Sequence, residues 1–127
     1  MTTLDDIRAI CAKLPGAVEG EGEQFSFGVM VKGKHKGFCW SWRERVDPKK
    51  PRVINEAVLA VRVPSLSAKD VILASGVAGV FTEPHYENYP AILIRLDEMA
   101  REDLEGYLEE AWRCTAPKSL TGGYAEP

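Results

Sequence analysis

The chain has 127 residues, a net charge of −3, and 45% apolar and 28% charged residues. These are the proportions of one soluble globular domain long enough to bury a core of its own. No apolar run approaches the roughly 20 residues that a membrane-spanning helix needs, and the early acids of MTTLDDIRAI exclude the basic start of a signal peptide.

The spacing of Leu4, Ile7, Cys11 and Leu14 predicts a first helix over Thr3 to Lys13. Thr3 is its cap and Asp6 the return partner, Cys11 is a small core residue, and Pro15-Gly16 ends it. A strand follows over Glu23 to Val31, with Phe25, Phe27, Val29 and Val31 on one side of the pleat and Gln24, Ser26, Gly28 and Met30 on the other. Lys32 to Gly37 reads as a turn by composition, which makes a hairpin with a second strand over Gly37 to Arg43. There Phe38, Trp40 and Trp42 alternate with Cys39, Ser41 and Arg43. Glu44 to Arg52, interrupted by Pro48 and Pro51, is a charged loop. A third strand over Ala57 to Val63 is supported by its β-branched content and stops at Pro64.

Ser67-Ala68-Lys69-Asp70 predicts the start of a short helix that ends at Ser75-Gly76. Val77 to Phe81 is a fourth strand, Glu83 to Tyr89 a polar and aromatic loop, and Ala91 to Leu96 a fifth strand. The last helix begins between Asp97 and Ala100 with acids at its positive end. Its apolar stripe is Leu104, Tyr107, Leu108, Ala111 and Trp112, and Pro117 ends it. Residues 1–118 therefore form a single α+β domain in the order α-β-β-β-α-β-β-α, an antiparallel sheet with helices packed on it. Residues 119–127 are expected to be a flexible tail.

The three cysteines, Cys11, Cys39 and Cys114, are odd in number, widely spaced and without a CxxC pair. That pattern predicts reduced thiols in a cytoplasmic protein, with neither a disulfide frame nor a zinc site; no metal or cofactor is expected. Charge is distributed unevenly. Lys32, Lys34, Lys36, Arg43, Arg45, Lys49, Lys50 and Arg52 stand against two acids, a local balance of +6, whereas Glu83 to Glu110 holds nine acids and two arginines, a balance of −7. A basic edge and an acidic face follow.

Each candidate site has two readings. The lysines and His35 of the hairpin, with Arg43, Arg45, Lys49, Lys50 and Arg52 extending the edge, fit a wing lying along a phosphate backbone; lysines also protect hairpin tips and edges from aggregation. Trp40 and Trp42 fit a core, with Phe38 on their side, or a stacking platform for unpaired bases. His85, Tyr86 and Tyr89 fit a ligand or partner contact, or a turn folded onto the sheet; no neighbouring nucleophile or second metal ligand supports catalysis. The acidic run fits a solvated helix face or a surface for a basic partner, a second copy of the chain included.

Four features together resemble the MmcQ/YjbR family of small bacterial proteins. They are Leu14-Pro15-Gly16-Ala17 with Glu19 after the first helix, a Phe-rich strand entering a Gly-Lys hairpin, Leu59-Ala60-Val61-Arg62-Val63-Pro64 before a small helix, and Ile94-Arg95-Leu96-Asp97 followed, beyond the long helix, by Ala116-Pro117-Lys118. Their order spans nearly the whole chain. The resemblance implies a compact α+β fold similar in layout to type III secretion chaperones, and a DNA-binding role through winged elements. It carries over no catalytic residue. The sequence departs from the family pattern in its charged Glu44 to Arg52 insertion and in Pro90-Ala91, where a Gly-Trp pair is often seen. The expectation is a non-enzymatic, cytoplasmic binding module, a monomer or weak homodimer, with nucleic acid as ligand or, alternatively, a protein partner as for a chaperone-like domain. No membrane association is expected.

Overall fold

The computed structural model describes residues 2–45 and 47–121. Helix α1 (Leu4–Cys11) is closed by the expected capping box: the Thr3 hydroxyl accepts from the Asp6 amide and the Asp6 carboxylate accepts from the Thr3 amide. Next come β1 (Ala17–Glu19), β2 (Ser26–Val31), β3 (Lys34–Glu44) and β4 (Val53–Arg62). Helix α2 (Leu66–Ala74), β5 (Val80–Phe81), a 3-10 turn (Pro84–Tyr86) and β6 (Ala91–Arg95) follow, and a second 3-10 turn leads to α3 (Arg101–Thr115) and the one-turn α4 (Lys118–Thr121). All strands pair antiparallel in one six-stranded sheet ordered β1-β2-β3-β4-β6-β5. This is the α+β domain expected from the strand and helix pattern. No helix among the described residues is long and apolar enough to cross a membrane.

Helices α1 and α3 cover one side of the sheet. Ile7, Leu104, Leu108 and Trp112 are fully buried there against Val29, Cys39, Leu59, Val61, Ile92 and Ile94, and each such aliphatic or aromatic side chain stabilises the fold by about 1.5–3 kcal/mol relative to exposure. The expected stripe on the last helix lies on this interface. The other side of the sheet holds a much smaller cluster, Val58, Ala60 and Leu93, edged by Trp40, Trp42, Phe81 and Tyr86.

Several elements differ from expectation. β1 was not foreseen, since three residues carry no period; its Ala17 lies opposite Val29. The hairpin turn is two residues, not six: Lys32 and Gly33 both have positive φ (52° and 79°), the geometry whose twist matches the flanking strands, so β3 starts at Lys34. Phe38 does not share a side with Trp40 and Trp42. The β2–β3 register shifts at Phe27/Gly28, opposite Gly37 and Cys39, and this bulge turns Phe38 into the helix-side core. Gly28 permits it, because a Cβ there would collide with the Lys36 carbonyl. Helix α2 is capped by Ser65, not by Ser67: its hydroxyl accepts from the Ala68 amide at 3.1 Å. The tail expected from residue 119 is helical through Thr121, with Leu120 packed on the core; residues 122–127 lie outside the described residues.

Candidate functional site

The side of the sheet without helices is covered by the loop between β5 and β6. Trp40 and Trp42, at alternate positions of β3, project to this side and are half-buried. The 3-10 turn folds Tyr86 back over them, and the Trp40 indole N–H donates to the Tyr86 hydroxyl at 3.0 Å. Tyr89 meets the Trp40 ring edge-on at 6.3 Å and the Tyr86 ring at 5.8 Å. Arg62, near the end of β4, places its guanidinium 5.7 Å from both the Trp40 and Tyr89 ring centroids. It is fixed there by donating to the Gly37 carbonyl and to the Tyr89 hydroxyl, each at 3.1 Å.

One buried cation holds the loop in place. Lys69 in α2 is only 2% exposed. Its ammonium donates to the Tyr86 carbonyl and, at 3.0 Å, to the Tyr89 carbonyl. A buried ammonium is tolerated where carbonyls accept its protons. Burial lowers the Lys69 pKa, against the opposing pull of Asp70, Glu87 and Glu83. Burial likewise raises the Tyr86 pKa, an effect the Trp40 hydrogen bond partly offsets.

Beside this aromatic cluster lies a cleft of about 430 Å³ whose walls include Trp40, Arg62, His85, Tyr86 and Tyr89 together with Gln24, Arg43 and Arg52. Gln24, just before β2, binds β3 twice: its amide nitrogen donates to the Ser41 carbonyl at 2.6 Å and its amide oxygen accepts from Arg43 at 3.1 Å. Arg52 donates to the Arg43 carbonyl at 3.0 Å. Among the described residues, Arg43, Arg52 and Arg62 form no ion pair. A guanidinium has five N–H donors, so each of the three retains donors for an anion.

The expected basic edge is therefore split in two. Arg43 and Arg52 line the cleft, whereas Lys34 lies nine positions before Arg43 on β3, about 30 Å away in extended chain. The register compounds this: Lys34 and Lys36 lie opposite Val31 and Val29, on the helix side of the pleat. Lys32, Lys34, His35 and Lys36 are all exposed. His35 does project to the cleft side, but its Nε2 lies 3.2 Å from the Val18 carbonyl, tying it to the β1 edge. Arg45 donates to the carbonyls of Pro48 and Lys50 and so organises its own loop, on which Lys49 and Lys50 stand exposed.

His85, Tyr86 and Tyr89 join the arginine half of the edge, a convergence of two segments that sequence order keeps apart. Arg62 and Lys69 were not foreseen. The one available signal for Arg62 is a charge at an inward position of an apolar strand; a mid-helix lysine gives none. Of the acidic run, Glu83 and Glu87 belong to the loop that Lys69 holds, whereas the acids of α3 lie on the opposite side of the sheet, where Glu102, Glu105 and Glu109 border a groove with Ile10, Lys13 and Leu14. Arg101 joins Asp6 (3.2 Å) and Glu105 (3.5 Å) there.

Comparison with known proteins supports the fold and the family. The chain is 31% identical over 124 residues to the uncharacterized protein Rv2570 of Mycobacterium tuberculosis and to the uncharacterized protein Mb2600 of Mycobacterium bovis, with 98% of this chain and 96% of each relative covered. Among solved structures, the crystal structure of Deinococcus radiodurans protein DR2400, a DUF419 family-model domain, matches with a TM-score of 0.58 at 21% identity, covering 99% of this chain and 97% of that one. That likeness shows the fold. No family model matches the chain.

Proposed function

The chain belongs to the same family as these mycobacterial proteins, and from that premise we propose that it is a non-enzymatic binding module that takes single-stranded nucleic acid on the loop-covered side of its sheet. One observation carries the reading: Arg43, Arg52 and Arg62, free of ion pairs among the described residues, line one cleft with the Trp40 and Tyr89 rings, Arg62 lying 5.7 Å from both. Guanidinium forks pair with phosphate and aromatic faces stack on unpaired bases. The reading agrees with the DNA-binding role implied by the resemblance to the MmcQ/YjbR family and extends that assignment to this chain. It moves the contact from the hairpin wing to the arginine cleft. The same reading includes a cytoplasmic, monomeric or weakly dimeric protein; the odd number and wide spacing of Cys11, Cys39 and Cys114 fit a reducing compartment.

Fluorescence anisotropy with a labelled single-stranded oligonucleotide and its duplex, at two salt concentrations, tests this. An Arg43→Ala/Arg52→Ala variant is expected to bind the single strand at least about tenfold more weakly, with a log K versus log salt slope shallower by about 1 to 1.5. A Lys32→Glu/Lys34→Glu/Lys36→Glu variant is expected to lose less. Equal affinity of all three proteins, or preference for the duplex, would overturn the reading. So would capture of a protein partner that survives nuclease treatment and is lost on Glu105→Lys, which would move the function to the acidic groove between α1 and α3.

A further inference from the structure

We propose that the cleft is a single-nucleotide site, which takes one aromatic base with its phosphate as a unit. The inference rests on the nucleic-acid reading above and narrows it from a strand to one residue of a strand or a free nucleoside monophosphate.

Size is the first argument. About 430 Å³ is near the lower end of the range for small-molecule pockets, room for one nucleotide and not for a run of them. Charge is the second. Lys36 is the chain neighbour of Gly37 at the cleft wall, but it and Lys34 lie on the other side of the sheet, so no basic track leads out of the cleft along β3 toward the hairpin. Composition is the third. One wall is aromatic, with the Trp40 and Tyr89 rings edge-on to each other and the Arg62 guanidinium 5.7 Å from both centroids; a single ring or guanidinium plane can stack on a base. Arg43 and Arg52 form the other wall, joined through the Arg43 carbonyl and offering forks to a phosphate.

The site is also built before any ligand arrives. Arg62 is bound at both ends of its guanidinium, Arg43 is held by Gln24, and Tyr86 is held by Trp40. Lys69 fixes the loop backbone beneath the two tyrosines. Side chains already fixed by partners lose little freedom on binding.

The test measures quenching of tryptophan fluorescence by a nucleoside 5′-monophosphate, the matching nucleoside, inorganic phosphate, and a single-stranded oligonucleotide with or without a 5′-phosphate. The nucleoside monophosphate is expected to bind at least about tenfold more tightly than nucleoside or phosphate alone, the yield of one charge-assisted contact. Arg52→Ala is expected to reduce it to the level of the nucleoside. Arg52→Lys, which keeps the charge and removes the fork, serves if the alanine variant melts early, and is expected to lose several-fold. A gain from the 5′-phosphate on the oligonucleotide assigns the site to strand ends, equal binding with and without it assigns the site to an internal nucleotide, and mononucleotide binding without oligonucleotide binding assigns it to free nucleotides and overturns the strand reading above. Inorganic phosphate binding as tightly as the nucleotide would overturn the inference. An oligonucleotide that binds while millimolar mononucleotide does not would overturn it and leave the nucleic-acid reading standing. Failure of both ligands would overturn both.

Discussion

The two sides of the sheet are closed by different physics. On the helix side, α1 and α3 lay long apolar stripes on the strands, and Ile7, Leu104, Leu108 and Trp112 are fully buried. On the other side, a short loop caps a cluster whose buried members are Val58, Ala60 and Leu93. A loop cannot interdigitate with a sheet along its length as a helix does, so polar contacts hold it: Lys69 to two carbonyls and Trp40 to the Tyr86 hydroxyl. The helix side supplies the stability of the domain. The loop side, closed only locally, leaves the recess in which the arginines and aromatic rings meet.

Substitutions on the two sides should therefore separate stability from binding. The largest effect is expected from Trp112→Ala, which empties a fully buried site and removes the indole bond to the Pro15 carbonyl (2.8 Å). Its cost should be about 3–5 kcal/mol in denaturant unfolding; a loss under about 1 kcal/mol would break the assignment of stability to the helix side. Lys69→Met keeps the aliphatic stem but strips two carbonyls of their donor, an expected loss of about 1–3 kcal/mol together with weaker oligonucleotide binding.

The same variant has a pH signature. The folded protein sheds the Lys69 proton more readily than the unfolded chain, whose pKa is near 10.5. The unfolded state thus binds more protons between the lowered pKa and 10.5, and the Lys69 contribution becomes more favourable as pH rises through that window. Tyr86 acts in the opposite sense: raised above 10.0 by burial, its contribution is present below pH 10 and is lost as pH climbs past it. Lys69→Met should remove the alkaline gain and leave the Tyr86 loss, which urea unfolding across alkaline pH would measure. The smallest effect is expected from Lys32→Asn. Asparagine tolerates the positive φ that Lys32 adopts, so the variant should be more stable by a few tenths to about 1 kcal/mol with oligonucleotide affinity unchanged, because the hairpin lies outside the cleft.

Local signals in the sequence carried over to the structure. The Thr3–Asp6 capping box, the stripe of α3 and the alternation of Leu59 and Val61 with Val58 and Ala60 each depend on residues a few positions apart, and each is where the pattern put it, although β4 begins at Val53 and not at Ala57. Tyr86 and Tyr89 fold onto the sheet, one of the two readings open to that loop. Features set by pairing between distant segments were not legible. The Phe38 bulge depends on Gly28 facing Gly37 across the hairpin. The cleft depends on β4 bringing Arg62 beside Trp40 and on the loop crossing back over both. The basic segment is continuous along the chain, while β3 carries its hairpin lysines and its arginines to opposite ends of the strand.

The most direct test uses the three tryptophans of the chain. Trp40 and Trp42 lie on the loop side and Trp112 on the helix side, so the indole N–H signals in a proton–nitrogen NMR spectrum report each side separately. Titration with a single-stranded oligonucleotide is expected to shift the Trp40 signal most, Trp42 less, and to leave Trp112 in place. Binding that moves Trp112 while Trp40 stays fixed would contradict the assignment of the ligand to the loop-covered side.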